Sequence, residues 1–109
     1  MVMKKIKICA LYLTFGNVEN AENVITFLLE RELIACANII RNITSFFEWE
    51  GKIQKNEEVL VFIKTSESNY DEVVNAVKDL HQYDLPCILK MPISDGDSDF
   101  VNWVLEQCK

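Results

Sequence analysis

The stretch SFFEWEGKIQKNEEVLVFIKT, residues 45–65, carries more apolar surface than a small exposed hairpin needs. It predicts two strands joined by a tight turn at Glu50-Gly51-Lys52. The second strand has an unbroken apolar run from Val59 to Ile63. Because a strand with one face in water alternates apolar and polar residues, this run predicts that both faces of the strand are covered.

The residues before this hairpin predict a strand followed by a helix. Residues Ile6 to Thr14 are rich in Ile, Leu and Tyr and end at Phe15-Gly16-Asn17, which favours a buried strand and a turn. Asn17 is a suitable N-cap for the helix. The apolar residues of that helix recur at steps of three and four: Val18, Ala21, Val24, Ile25, Leu28 and Leu29. A second strand is then expected over Cys36 to Trp49, with a bend at Arg41-Asn42.

The second half of the chain repeats this pattern. A third strand is expected over Glu57 to Thr65, and Ser66 or Ser68 can cap the helix that follows it. One face of this helix is marked by Tyr70, Val73, Val74, Val77 and Leu80. The loop HQYDLP leads into a fourth strand over Cys87 to Ile93. A short helix after SDGDSD is expected to bury Phe100, Trp103 and Val104.

The order β-α-β-β-α-β with a C-terminal helix predicts a single α+β domain over residues 1–109, with a ferredoxin-like antiparallel sheet. Both main helices cover one face of such a sheet, so either Leu60 and Phe62 or the set Val59, Val61 and Ile63 point away from them. Covering each such residue contributes about 1.5–3 kcal/mol, which favours a closed symmetric oligomer. The alternative is that the C-terminal helix alone covers this face.

Composition restricts the function classes. The 109 residues carry a formal charge of −6, so no nucleic-acid partner is expected. The four cysteines have no C-x-x-C spacing, which is typical of buried thiols in a reducing cytosol, and a cytoplasmic location is predicted. The run MVMKKIKICALYLTFG resembles a short signal peptide. However, it lacks a convincing cleavage site and is too short to span a bilayer, so no membrane partner is expected.

Few side chains suggest chemistry. His81 lies at the predicted end of the second helix, where it either benefits from the helix dipole or borders a pocket. Lys64 either extends its ammonium into solvent or contacts an anion at a subunit boundary. Trp49 is either a packing residue or an interface anchor. Residues Asp95 to Asp99 resemble the start of a calcium loop but lack the later acidic ligand. No catalytic triad or phosphate loop is present, so no enzyme is predicted.

Three segments, ERELIACANII, EWEGKIQKNEEVLVFIKT and HQYDLP, occur in an order and at a spacing that resemble the CutA family of divalent-cation tolerance proteins. The resemblance covers nearly the whole chain. Its most specific parts are Ala35-Cys36-Ala37-Asn38, Trp49-Glu50-Gly51-Lys52, Ile63-Lys64-Thr65 and His81-x-Tyr83. The resemblance implies a ferredoxin-like subunit in a compact homotrimer similar to the PII signalling proteins. It also implies a response to metal ions and binding of copper or another divalent metal.

This chain departs from the metal ligands that the resemblance implies. Some members have a cysteine late in the first strand and a histidine pair at the end of the second helix. Here Leu13 stands at the cysteine position and Leu80 at the first histidine position, so only His81 of these ligands is present. Cys87 replaces a glutamate of the family pattern. Cys9 and Cys87 could face each other across neighbouring strands, either as buried small residues or as a thiolate pair suited to Cu(I) or zinc.

The sequence therefore predicts a non-enzymatic, trimeric CutA-type protein with a ligand pocket near each subunit boundary. The predicted lining is Cys36, Trp49, Lys64, His81 and Tyr83. In this prediction His81 is the candidate metal ligand, Lys64 holds an anion, and Cys36 contributes packing. The alternative is a PII-like sensor that binds a small anionic ligand in the clefts between subunits and signals to a partner.

Overall fold

The computed structural model describes residues 6–109; residues 1–5, which begin the run that resembles a signal peptide, lie outside the described part. Four strands and three α-helices follow one another in the predicted order. They are β1 (Ile8–Phe15), α1 (Val18–Glu30), β2 (Cys36–Trp49), β3 (Lys52–Ser66), a 3-10 turn (Glu67–Asn69), α2 (Tyr70–Leu80), β4 (Ile88–Pro92) and α3 (Ser98–Gln107).

The strands form one antiparallel sheet in the order β2-β3-β1-β4, so the predicted ferredoxin-like α+β arrangement is confirmed. The bend predicted in β2 is also confirmed, because the pairing with β3 shifts between Ile40 and Ile43 and Asn42 has a φ of 60°. Strand β3 begins at Lys52, five residues before the predicted start. Its additional residues pair only with β2 and form a two-stranded extension of the sheet.

The caps of the helices follow from local chemistry. The Asn17 side chain accepts a hydrogen bond from the Asn20 backbone nitrogen at 2.7 Å, which confirms the predicted N-cap of α1. Ser66 caps the 3-10 turn by accepting from the Asn69 backbone nitrogen at 3.2 Å. Helix α2 therefore begins only at Tyr70.

Helices α1 and α2 pack on one face of the sheet and form the main core with alternate residues of β1 and β3. From β1 this core takes Cys9, Leu11, Leu13 and Phe15, and from β3 it takes Val59, Val61 and Ile63. Residues that pair directly across strands share a face, so the other residues of each strand form the opposite face. We call this the open face; it comprises Tyr12, Thr14, Cys36, Asn38, Ile40, Leu60, Phe62, Lys64, Leu89 and Met91.

Helix α3 covers one end of the sheet only. Val104 is fully buried and clusters with Ile8 and Ala35. Phe100 and Trp103 remain 46% and 40% exposed, so the prediction that α3 buries them is wrong for the single chain. The contact of this short helix is made instead by Val101, Val104 and Leu105. Since Ile40, Leu89 and Met91 also stay exposed, α3 does not cover the open face by itself.

Residues 43–58 extend beyond the main sheet as a two-stranded ribbon, which we call the hairpin arm. Its turn uses left-handed backbone at Glu50 (φ 49°) and Gly51 (φ 78°), a geometry suited to a two-residue hairpin turn. The arm exposes several large apolar side chains, with Ile53 82% exposed. An isolated two-stranded ribbon is marginally stable, so this arm gains from a neighbouring surface.

Candidate functional site

His81 ends helix α2, and its ring lies in the interior, 8% exposed. The ring is stacked on Phe15 with 4.4 Å between centroids. Its Nε2 lies 2.7 Å from the Thr14 carbonyl oxygen, and its Nδ1 accepts a hydrogen bond from the Tyr83 backbone nitrogen at 3.0 Å. Nε2 therefore carries the proton and donates to Thr14, and the imidazole fastens the loop after α2 to the end of β1.

These contacts leave neither nitrogen of His81 with a free lone pair for a metal. Leu13 and Leu80, which stand where the resemblance implies further ligands, offer no donor atom. Within residues 6–109, no group of three or more His, Cys, Asp or Glu side chains could hold a metal ion. A metal centre normally needs several convergent ligands, so the described residues of a single copy do not fit the implied metal.

Tyr83 joins the same loop to the hairpin arm. Its hydroxyl donates a hydrogen bond to Glu58 Oε2 at 2.8 Å. Burial, followed by this bond to the carboxylate, raises the pKa of Tyr83 from 10.0 to about 12. The ring lies against Gly16, where an added Cβ would be only 3.0 Å from the tyrosine oxygen. The absence of a side chain at Gly16, just before helix α1, therefore leaves room for the Tyr83 ring.

Glu58 was not among the predicted site residues. It is 8% exposed although it belongs to the polar run before Val59. Alternation along β3 was the available signal, because Glu58 lies two residues before Leu60 and therefore projects from the same face as Leu60 and Phe62. The sequence prediction included Glu58 in the third strand and gave it no role in the site.

A concave cavity of about 730 Å³ lies between the hairpin arm and the loop after α2. We call it the aromatic-acidic pocket, after the rings and carboxylates in its walls. Its lining residues are Tyr12, Thr14, Ser45, Phe46, Phe47, Trp49, Gln54, Asn56, Glu58, Gln82, Tyr83, Asp84, Leu85 and Cys87. Of the predicted site residues, Trp49 and Tyr83 therefore line this pocket. His81 does not line it but accepts a hydrogen bond from the Tyr83 backbone.

The other two predicted site residues lie elsewhere on the open face. Cys36 and Lys64 are direct partners on β2 and β3, and the Lys64 ammonium donates to the Asn38 side chain. Lys64 is opposite Ala10 of β1, whereas His81 contacts Thr14, four residues further along that strand. Four residues of extended strand correspond to about 13 Å. Within one chain, the predicted site residues therefore form two separate clusters: Cys36 with Lys64, and the group around His81.

The cysteines are packing residues rather than a thiolate pair. Cys9 is opposite Pro92 in the sheet, so the prediction that Cys9 and Cys87 face each other is wrong. Strand β4 does lie beside β1, but the register places Cys87 near Thr14. Burial raises the pKa of Cys9 to about 11 and also raises the pKa of Cys87. Both thiols therefore stay protonated at neutral pH and are poor ligands for a soft metal.

Comparison with known proteins identifies the family. The profile of the CutA1 divalent ion tolerance protein matches residues 9–107. This chain belongs to the CutA1 family. A curated CutA relative, the divalent-cation tolerance protein of Pyrococcus horikoshii, is 41% identical over 98 residues, which cover 90% of this chain and 95% of the relative.

Solved CutA structures share the fold. The divalent ion tolerance protein CutA1 of Ehrlichia chaffeensis has a TM-score of 0.90 and 35% identity, covering 95% of this chain and 97% of its own. The periplasmic divalent cation tolerance protein CutA of Archaeoglobus fulgidus has a TM-score of 0.89 and 40% identity, covering 92% and 97%. In the described part of the present CutA chain, no helix has the length and apolar character needed to cross a membrane.

Proposed function

We propose that this CutA family member acts in the tolerance of divalent metal ions, as a homotrimer without enzymatic activity. The observation that carries the proposal is the family match over residues 9–107. The likeness to proteins named for divalent-cation tolerance supports the same role. His81 uses both ring nitrogens to hold the loop in place, which supports a structural role for this side chain.

The open face supports the proposed assembly. Leu89 is 59% exposed on this face, and the neighbouring Met91 and Ile40 are also exposed. Helix α3 covers only the end near Ile8. A closed symmetric oligomer would remove this apolar surface from water and would also give the hairpin arm a surface to pack on.

Sedimentation equilibrium tests the assembly. We expect a particle of three times the chain mass of 12.6 kDa at micromolar concentration. Leu89→Glu places a charge on the open face and should shift the equilibrium toward the monomer. The control is Glu57→Gln, which lies on the hairpin arm on the opposite face from Glu58 and should leave the mass unchanged. A lone particle of one chain mass in the parent protein would overturn the proposed trimer.

We propose that copper or another divalent metal associates at the boundaries between copies, where donor atoms from two chains meet. The support is indirect: the family is named for divalent ions, and residues 6–109 of one copy contain no suitable cluster of ligands. His81 can bind a metal only if its ring loses its hydrogen bond to the Thr14 carbonyl or to the Tyr83 backbone nitrogen.

Calorimetry with copper and zinc, combined with anomalous scattering from soaked crystals, tests this metal proposal. Binding heat and an anomalous peak at a subunit boundary are expected for the parent. Identical isotherms for the parent and His81→Ala would remove His81 as a ligand. The absence of both heat and peak in the parent would overturn the metal association itself.

A second candidate is a PII-like sensor that binds a small anion between subunits. It rests on Lys64, whose ammonium lies on the largely apolar open face beside Asn38. Because Lys64 is far from His81 within one chain, the predicted five-residue pocket requires a neighbouring copy to supply one half. A thermal-shift panel of nucleotides and carboxylates, repeated with Lys64→Met, tests this candidate; no shift with any compound would exclude those ligands.

A cytoplasmic location remains our proposal. Its support is that the four cysteines are all free and at least half-buried. The Archaeoglobus relative is described as periplasmic, so family membership does not specify the compartment. Fractionation of the native source, followed by immunodetection, is the direct measurement.

A further inference from the structure

We propose that the aromatic-acidic pocket receives Phe100 and Trp103 of a neighbouring copy of this chain. The inference rests on the homotrimer proposed above and specifies two surfaces that meet in it. A ring of three copies closes through one contact between two different patches, so each copy must carry both a patch and its complement. This chain carries a concave aromatic surface in the pocket and a projecting aromatic pair on α3.

The projecting patch is the pair Phe100 and Trp103. Their ring centroids lie 5.6 Å apart, and both rings remain exposed in the single chain. Helix α3 packs on its own chain through Val101, Val104 and Leu105, so the pair takes no part in that contact. Aromatic side chains bury about 150–250 Å² each and are frequent anchors of interfaces. The pair therefore has the character of an anchor for another chain.

The pair cannot reach the pocket of its own chain. Val104 of α3 clusters with Ile8 near the start of β1, whereas Thr14 near the end of β1 lines the pocket. Six residues of extended strand correspond to about 20 Å. The pocket and α3 therefore lie at opposite ends of the sheet, and a head-to-tail contact between two copies brings them together.

The pocket offers what the pair needs. Its volume is about 730 Å³, and the rings of Phe47, Trp49 and Tyr83 line it. Aromatic rings favour edge or offset contacts with further rings. Glu58 also lines the pocket, is 8% exposed and accepts a hydrogen bond from Tyr83 on Oε2. An indole N–H is a hydrogen-bond donor only, so Trp103 of the neighbouring copy can donate to this nearly buried carboxylate.

The charges beside the two patches are complementary. Lys52 pairs directly with Trp49 in the hairpin arm and therefore projects from the same face. On α3, Asp99 lies four residues before Trp103 and Glu106 three residues after it, on the same side of the helix. Within residues 6–109, none of these three charged side chains forms an ion pair. A lysine beside the pocket and two carboxylates beside the ring pair therefore favour the head-to-tail orientation.

Tryptophan fluorescence tests the contact directly. The chain has two tryptophans, so Trp49→Phe leaves Trp103 as the only indole and keeps a ring in the pocket. Emission spectra and acrylamide quenching are measured on this variant as the assembled protein, on the same variant diluted until it sediments as a monomer, and on the double variant with Leu89→Glu. We expect Trp103 to emit at shorter wavelength and to be quenched less in the assembled protein, because its ring leaves water there.

Substitution of the anchor measures its contribution to assembly. Trp103→Ala should raise the dissociation constant of the assembly about tenfold or more, as measured by sedimentation equilibrium. Leu29→Ala is the matched control, because Leu29 is similarly exposed, at 42%, but lies on α1 away from the open face. Its dissociation constant should equal that of the parent. If Trp103→Ala does not fold, Phe100→Leu removes the other ring and should weaken assembly about threefold or more.

Two outcomes would overturn this contact and leave the proposed assembly standing. One is a trimer in which Trp103 has the same emission and quenching as in the monomer. The other is an equal dissociation constant for Trp103→Ala and Leu29→Ala. A parent protein that sediments as a single chain would instead overturn the trimer and this contact together.

Discussion

The two faces of β3 have similar sequences and different surroundings. Val59, Val61 and Ile63 are buried against α1 and α2, whereas Leu60 and Phe62 alternate with them on the open face and are only partly buried. Both sets are apolar, so hydrophobicity alone does not separate the residues that fold the subunit from those that remain for other contacts. The difference shows that the same strand contributes to two separate energies: the folding of one chain and the proposed association of several.

The largest expected effect comes from matched leucines on the two faces. Leu13→Ala creates a cavity beneath the helices and should lower the free energy of unfolding by about 2–5 kcal/mol. Leu60→Ala deletes the same atoms from the open face and should have a clearly smaller effect on unfolding while promoting dissociation of the assembly. Urea unfolding and sedimentation measure the two quantities. Equal losses of unfolding free energy would contradict the distinction between the faces.

The next largest effect is expected at His81, which fastens the loop after α2 to the end of β1. His81→Ala removes partners from the Thr14 carbonyl and the Tyr83 backbone nitrogen, and should lower the free energy of unfolding by about 2–4 kcal/mol. Leu80→Ala changes the exposed neighbouring residue and is the control, with an expected loss below about 1 kcal/mol. Thermal unfolding is a suitable measurement. A similar loss in both variants would mean that the imidazole bonds contribute little.

A smaller effect is expected where Tyr83 packs on Gly16. The Cβ of Gly16→Ala would lie 3.0 Å from the Tyr83 oxygen, so the ring must move, at a cost of about 1–2 kcal/mol. Combining it with Tyr83→Phe removes that oxygen and should make the two losses less than additive in a double-mutant cycle. Strict additivity would show that the ring is not held in this position.

The smallest expected effect is a dependence of stability on alkaline pH. The pKa of Tyr83 is about 12 in the folded chain and 10.0 for an ordinary tyrosine, so the neutral phenol is favoured by folding. The resulting stabilisation is fully present below pH 10 and is lost as the pH rises toward 12. Tyr83→Phe should flatten this part of the curve of unfolding free energy against pH. Parallel curves for parent and variant would contradict the raised pKa.

Local patterns predicted a large part of this fold. The limits of β2 at Cys36 and Trp49, the bend at Arg41-Asn42 and the N-cap at Asn17 were all correct, because periodicity, capping and turn preferences depend on neighbouring residues. The start of β3 was missed because polar residues in the hairpin arm resemble a loop when the strand opposite them is not considered.

The candidate site was less accessible to sequence reasoning. Tyr83 and Glu58 are 25 residues apart, and His81 and Thr14 are 67 residues apart. No local sequence pattern predicts contacts between residues so far apart in the chain. The five residues predicted to line one pocket divide into the Cys36 and Lys64 cluster and the group around His81, because their positions along β1 differ by four residues.

The sequence by itself determined the order of the elements and the excess of apolar residues in β3. Only the tertiary structure decided which of the two alternating sets in that strand faces the helices, because both sets are apolar enough to be buried. It also decided that Glu58 is nearly buried, lines the cavity and accepts a hydrogen bond from Tyr83. The physical reason is strand register, since a shift of one residue exchanges the two faces, and register depends on pairing between distant segments.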